Sequence, residues 1–488
     1  MIDPAEARAE GLKALEAQLA RDFLNLELPA KPWVPLRSVD GQMVRDVVVI
    51  GAGMCGLAVL AKLKLSGITN VVAYDAAAKG EEGPWITFAR MQTLRSPKTL
   101  AGPSLGLAQL TFGAWFTAQL GDAAWDALDK IPKAQWMEYL IWYRHVLALP
   151  VVNDTRMVGI REEGDHIAID LEGAENGRVL TRHLVLATGR SGLGGFSVPP
   201  FLSEIDRRLW AHSADVIDFH ALKGKRVAVI GAGASAMDNA ATALEAGAGQ
   251  VDLLIRRTEM PRINKMTGIS SFGVVHGMQH LPDAWKWRFV DYTLSSQIPP
   301  PRSSTLRVSR HPNARFLLGC SINGVRVNGE ALELNTSLGS MNYDYVIAAT
   351  GFTNNFAGRP EFETIAPHIR TWADGRHTSE MGQARPGLSD APDLGPDFEF
   401  REKEPGACPM LRHIHCFNDA AMLTHGKVSG DIPAVSAGAD RLVRGIAASL
   451  FAADVETHYA NLRAYDTPEL LGDEWVDSSP LIRKEAAL

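Results

Sequence analysis

Two glycine-rich turns in this chain carry the residues needed to hold a dinucleotide, and the side chains at their strand ends select different nucleotides. Gly51, Gly53 and Gly56 form G-x-G-x-x-G within "VVVIGAGMCGLAVL". The first glycine of such a turn permits a tight reversal. The second lets the backbone approach a pyrophosphate, and the third lets helix and strand pack closely. The helix N-terminus behind the turn presents unpaired N–H groups to the anion. Asp75 ends the next strand, "NVVAYD". A carboxylate there accepts hydrogen bonds from a ribose 2′-OH and repels a 2′-phosphate. Gly231, Gly233 and Ala236 repeat the pattern as G-x-G-x-x-A, with Ser235 in the first turn of the helix. That unit's second strand, "QVDLLIRR", ends in Arg256 and Arg257, which offer bidentate donors to a 2′-phosphate. The pattern predicts one site for a ribose hydroxyl and another for NADPH.

Each turn needs a buried strand before it and a helix after it. "VVVI" and "RVAVI" supply the strands, and "MCGLAVLAKLKLSG" and the stretch after Gly233 supply the helices. Each unit closes on a strand ending in Thr-Gly: "LVLATG" (Thr188-Gly189) and "YVIAATG" (Thr350-Gly351). A whole βαβ unit therefore repeats about 180 positions apart. Between the units, "KAQWMEYLIWYRHVLAL" predicts an apolar helix, and "HIAIDLEG" with "RVLTRHLVLATG" predicts a small meander returning to the main sheet. Residues 1–28 have apolar positions at helical spacing, predicting an amphipathic arm packed on the body. The prolines at 29, 32 and 35 predict an extended linker after it. The tail "PAVSAGADRLVRGIAASLFAAD" predicts a further helix.

At 488 residues the chain is long enough for two to three domains, each with its own core. A net charge of -7 gives no electrostatic reason for a nucleic-acid partner. No apolar run approaches the roughly 20 residues that span a bilayer, and no signal peptide is visible. Four cysteines (Cys55, Cys320, Cys408, Cys416) form no C-x-x-C pair and no disulfide framework. These features predict a cytoplasmic α/β protein with reduced thiols. No H-E-x-x-H, clustered metal ligands or G-x-S-x-G elbow occurs, so neither a metal site nor a serine nucleophile is expected.

The paired folds and their closing strands resemble the two-dinucleotide-binding-domain flavoproteins, over roughly residues 45–450. Two further stretches resemble class B flavin monooxygenases. "LWAHSADV" is similar to part of their F-x-G-x-x-x-H-x-x-x-[FYW] fingerprint, with His212 at the histidine. Asp206, Arg208 and Val216 stand where that pattern has Phe, Gly and the closing aromatic. "GPWITFARMQTLRSPK" resembles the G-G-x-W segment after the FAD site, and Arg95 stands where flavin-containing monooxygenases have a flavin-facing Asn. "LTHGKVSGDIPAVSAGADR" and "SQIPPPRSS" are similar to the N-hydroxylating branch.

The resemblance implies an α/β fold of two Rossmann-like domains, with the NADPH domain (206–349) inserted into a discontinuous FAD domain (45–205 and 350–470). Residues 1–44 and 471–488 flank them. It implies that NADPH reduces FAD, that a C4a-(hydro)peroxyflavin forms with O2, and that one oxygen atom enters a small organic substrate at nitrogen or sulfur. Baeyer–Villiger oxygenation of a ketone and an NADPH oxidase or flavin reductase without oxygen transfer are the alternatives. A disulfide reductase has the same folds but needs a cysteine pair this sequence lacks, and a flavin-binding sensor would show no turnover.

The resemblance further implies roles for individual residues. Arg95, or else Arg90, would be a cation beside the oxygen adduct, with a substrate carboxylate or a cofactor phosphate as the alternative partners of Arg95, and Gln92 would contact flavin or NADP. Trp85 would pack near the isoalloxazine. His425 would contact the flavin or its ribityl chain. Asp431, followed by Ile432-Pro433, reads as an N-cap whose helix points its positive end at reduced flavin. Thr188, Thr350 and Gly351 would line the cofactor approaches. No membrane partner is expected, and a homo-oligomer is allowed, with the N-terminal arm available for a subunit contact.

Overall fold

A computed structural model describes residues 4–375 and 387–486. Among these residues the chain forms two Rossmann-like units, the second inserted into the first. The first is built on an 8-stranded sheet whose path runs Val151–Val152, Val71–Tyr74, Gln42–Ile50, Gly177–Leu186, His166–Gly173, Thr155–Glu163. Val47, Val48 and Val49 are fully buried, as expected for a parallel strand covered on both faces. The ten-residue strand Gly177–Leu186 serves two purposes along one edge. Its first half pairs with His166–Gly173, and its last three residues pair with Ile414–Cys416, contributed by the chain after the insertion. Helix Met54–Leu65 lies between this sheet and helix Val435–Ala453, joined to it by a Lys62–Asp440 ion pair at 2.7 Å.

The second unit is a 5-stranded parallel sheet in the order Ala314–Leu318, Gln250–Ile255, Arg226–Ile230, Tyr345–Ala348, Trp210–His212. A three-stranded meander, 322–343, flanks it. The two crossings between units, Gly194–Phe196 and Phe352–Asn354, pair antiparallel.

Several elements correct or extend the sequence expectations. Part of the proline-rich linker is an edge strand, Arg37–Val39, paired with Gln42–Ile50. The strand Thr155–Glu163 carried no clear alternation and escaped the sequence reading. The amphipathic arm is helix Pro4–Asn25, and it packs on its own chain: Leu15 and Leu19 are buried, and Glu16 accepts from Trp142 Nε1 at 3.1 Å. A Cβ at Gly11 would come 1.7 Å from the Ala118 carbonyl oxygen, so only glycine permits this approach. Among the described residues no helix is long and apolar enough to cross a membrane.

Three histidines meet at the paired strands Gly177–Leu186 and Ile414–Cys416. His183 Nδ1 lies 3.0 Å from His415 Nε2, and His415 Nδ1 lies 2.8 Å from the Asp397 carbonyl. The ring of His413 packs edge-on against His183 at 4.8 Å. A neutral chain satisfies this geometry: His415 donates to Asp397, and His183 donates to His415. Burial holds His413 and His415 down at about 4 and His183 well below its ordinary value. The unfolded histidines titrate near 6.5. The unfolded state therefore binds more protons between pH 6.5 and 4, and stability present above 6.5 is lost as pH falls through that window. Burial also raises Asp46, to about 6, and Asp75, Asp238, Asp397 and Glu399, which work in the opposite sense, while His425, held at about 3, adds a fourth imidazole to the histidine side. We expect Tm to fall between pH 7 and 5 and the fall to shrink in H413Q. A Tm flat across that range would contradict the account.

Candidate active site

Gly51 and Gly56 build the first turn through close approach. Gly51 has φ +100°, and a Cβ at Gly56 would lie 1.9 Å from the Gly51 carbonyl oxygen. Gly53 differs. It precedes helix Met54–Leu65 with an ordinary φ of -66°, and a Cβ there would meet nothing nearer than Gly83 Cα at 3.7 Å. The protein leaves that space open. Asp75 accepts from the Ala52 N–H at 2.7 Å and the Ala77 N–H at 2.8 Å. Burial raises its pKa, and the two backbone donors oppose the shift. Each carboxylate oxygen retains capacity for a ribose hydroxyl. A cleft of about 410 Å³ opens beside Ala52 and Gly53, bounded by Leu57, Lys79, Glu82 and Arg144. Buried Glu82 is held by Arg144 at 2.9 Å and Asn153 at 2.7 Å.

Trp85 lies against Gly83, which faces Gly53. Its indole N–H is buried with no acceptor among the described residues. A buried donor without a partner is uncommon, and one beside a pyrophosphate-binding turn is what an anionic cofactor would satisfy. The open space at Gly53, the carboxylate at Asp75 and this donor together fit FAD.

The second turn repeats the first with more room. Gly231 has φ +132°, while Gly233 has φ -84°, and a Cβ there would meet no atom within 4 Å. Ala236 is buried against the strand, and Ser235 is exposed at the helix start. Arg256 and Arg257 lie just beyond strand Gln250–Ile255, both exposed. Arg257 donates to the Ser295 carbonyl at 3.0 Å. Arg256 makes no side-chain hydrogen bond or ion pair among the described residues, so its guanidinium is free for a phosphate.

At the crossings, His212 stacks on Phe196 at 4.4 Å and its Nε2 lies 3.0 Å from the Gly351 carbonyl. The Ser197 N–H donates to the same carbonyl at 2.9 Å, and the Thr350 hydroxyl donates to the Ser197 carbonyl. Thr350 and Gly351 thus tie the two crossings together. Thr188 accepts from Asn418 Nδ2 at 3.2 Å. Arg90 also bridges the units. It donates to the Thr87 carbonyl at 2.9 Å and the Asp215 carbonyl at 3.1 Å, its guanidinium covers the Phe219 ring, and its own carbonyl accepts from Arg307 at 3.2 Å. Arg307 in turn pairs with Asp238 and Glu245.

Arg95 is exposed and its guanidinium has no hydrogen-bond partner among the described residues; Asp431 is the carboxylate that acts on it. The side chain of Gln92 is exposed nearby. Asp431 does precede a turn with Pro433, but the turn Ile432–Ala434 is 3-10, the Asp431 side chain makes no capping bond, and the α-helix begins only at Val435. His425 is fully buried. It stacks on Phe398 at 3.8 Å, its Nε2 lies 2.9 Å from the Gly395 carbonyl, and its Nδ1 lies 3.2 Å from Arg441. Burial, then the Arg441 charge, hold it near 3, so it stays neutral.

The sequence reading missed the charged lining of a small cavity beside Asp431, where Arg190, Asp419 and Lys427 converge. Arg190 directly follows the Thr188-Gly189 pair and Lys427 follows the T-H-G stretch, so position next to a motif was the available signal. Asn418 was missed as well. It joins Thr188 to the Leu186 carbonyl and caps the turn at Ala420.

A family profile described as pyridine nucleotide-disulphide oxidoreductase matches residues 48–270. The FAD-dependent urate hydroxylase of Xanthomonas campestris pv. campestris is 36% identical over 465 residues, covering 95% of this chain and 98% of the relative. The fold is shared with the ornithine hydroxylase of Pseudomonas aeruginosa (TM-score 0.63, 15% identity, 83% of this chain and 98% of that one). It is shared also with an ornithine N-hydroxylase of Kutzneria sp. 744, solved with reduced FAD, NADP+ and L-ornithine (TM-score 0.64, 16% identity, 83% and 99%).

Proposed function

The chain belongs to the class B flavoprotein monooxygenases, and from that membership we propose that it uses NADPH and O2 to hydroxylate urate or a closely similar purine. The observation that carries this is the 36% identity to a urate hydroxylase along nearly the whole of both chains. The balanced reaction takes urate, NADPH, O2 and a proton to a hydroxylated urate, NADP+ and water. The chemistry supplied by bound FAD is two-electron transfer from the nicotinamide to O2, with one oxygen atom delivered to the substrate.

The chain's own residues bind, orient and supply charge. Gly51, Gly53, Gly56, Asp75 and the Trp85 N–H hold the FAD diphosphate and ribose. Gly231, Gly233, Ser235, Ala236, Arg256 and Arg257 hold NADPH, the arginines taking its 2′-phosphate. Arg90, Thr350 and Gly351 keep the two units in register. Arg95 is the cation that stabilises negative charge developing where oxygen is transferred, with Gln92 beside it. Arg190 and Lys427 add positive charge suited to urate, an anion at neutral pH.

Oxygen transfer to nitrogen or sulfur, the expectation from the sequence, finds support only in a shared fold. The urate hydroxylase points to hydroxylation of a purine instead. Disulfide reduction, which the description of the family profile names, lacks its cysteine pair: all four cysteines are free thiols, and burial pushes Cys55 up to about 12 and Cys408 to about 11.

The test is NADPH oxidation by the flavin-loaded protein with urate, xanthine, L-ornithine, L-lysine and a thioether. Urate is expected to accelerate it and to be consumed one-for-one with NADPH. Oxygenation of an amine or thioether without action on urate would overturn the substrate assignment.

A further inference from the structure

Among the described residues two apolar surfaces stand exposed, and they are complementary in charge. The first is the chain after helix Val455–Ala464. All residues with described side chains from Tyr459 to Ala486 are exposed, and the hydrogen bonds made by 465–486 stay within 462–486, such as the Glu474 carboxylate accepting from Leu471 and Gly472. A solvated tail is rich in small and polar residues. This one displays Tyr465, Leu470, Leu471, Trp475, Val476, Leu481 and Ile482, with Leu471 at 80% and Trp475 at 58% exposure. Between Tyr465 and Ser478 it carries Asp466, Glu469, Asp473, Glu474 and Asp477 and no basic residue.

The second surface is one face of helix Asp283–Ser296 in the inserted unit. Lys286, Trp287, Val290 and Thr293 face inward. Trp285, Arg288, Phe289 and Tyr292, at positions i, i+3, i+4 and i+7, form an exposed stripe. Two cations lie on it: Arg288 over the Trp285 ring at 5.1 Å and Lys265 over the Tyr292 ring at 5.7 Å.

We propose that the C-terminal arm, residues 465–486, docks across the aromatic and cationic stripe of a second copy of this chain. The arm is about as long as one side of an ordinary interface, roughly 20–30 residues. Its acidic, apolar sequence matches a face of aromatic rings capped by Arg288 and Lys265. In a two-fold dimer the contact is made twice, each arm covering the partner's stripe. The N-terminal arm, which the sequence suggested for a subunit contact, is already spent on its own body.

Sedimentation of the flavin-loaded full chain against a chain ending at Ala464 tests this. The full chain is expected to sediment as a dimer and the shortened one at half that mass, with flavin absorbance reporting that it is folded. L471D/W475A in the full chain is expected to do the same by point substitution. R288E/K265E should also give the monomer, and adding D473K/E474K to it should restore the dimer. A monomeric full chain, or a dimer unaffected by these changes, overturns the proposal. So does a full chain that binds anionic phospholipid vesicles through the stripe in preference to self-association.

Discussion

Replacing Arg256 and Arg257 together by alanine is expected to lower the preference for NADPH over NADH, in kcat/KM, by about 10- to 100-fold while FAD stays bound. A charge-assisted hydrogen bond contributes roughly 1.5–3 kcal/mol, and each 1.36 kcal/mol is about tenfold. The loss falls on the phosphorylated nucleotide alone, because NADH offers nothing for the guanidiniums to hold. The two arginines are not equivalent. Arg257 already donates to the Ser295 carbonyl, whereas Arg256 has no such partner among the described residues. R256A should therefore account for most of the shift and R257A for less. The first turn and Asp75 lie in the other unit, so flavin content is the internal control. An unchanged coenzyme preference in R256A/R257A would show that the second site recognises its nucleotide by other means.

G53A is expected to weaken FAD binding at least about tenfold while leaving the fold of the flavin-free chain intact. The argument rests on where the protein itself has room. Alanine readily adopts φ -66°, and its methyl would sit 3.7 Å from the nearest atom. Thermal unfolding of the flavin-free variant should match the parent within about 0.5 kcal/mol. The methyl instead occupies the space through which the backbone approaches the pyrophosphate. G233A carries the same logic to the second site, where it should raise KM for NADPH. G56A is the contrast. Its methyl would lie 1.9 Å from the Gly51 carbonyl oxygen, so it should disturb helix-on-strand packing and unfold the unit with or without flavin. If G53A binds FAD as the parent does, the first turn is not the flavin site.

The parts of the site that could be read from sequence were those set by local spacing. A strand, a glycine turn, a helix and a charged strand end fall within about 30 residues, so Asp75 and the Arg256-Arg257 pair were visible, with opposite meanings. Long-range contacts were not visible. Nothing near Arg90 announces that its guanidinium would reach the Asp215 carbonyl, 125 positions away. His425 sat in a suggestive motif, yet packing against Phe398 and Arg441 encloses it. Asp431 shows the limit of boundary signals: the Pro433 turn is there, but one 3-10 turn separates it from the helix it was expected to cap. Arg190 and Lys427 each adjoin a recognisable motif, and only the fold brings them to one cavity.

The most direct measurement is isotopic. The flavin-loaded protein would be given urate, NADPH and 18O2, and the organic product analysed by mass spectrometry after full conversion. A product carrying one 18O atom, formed one-for-one with NADP+, is the predicted result. Complete NADPH oxidation with stoichiometric hydrogen peroxide and unlabelled, unconsumed urate would contradict it.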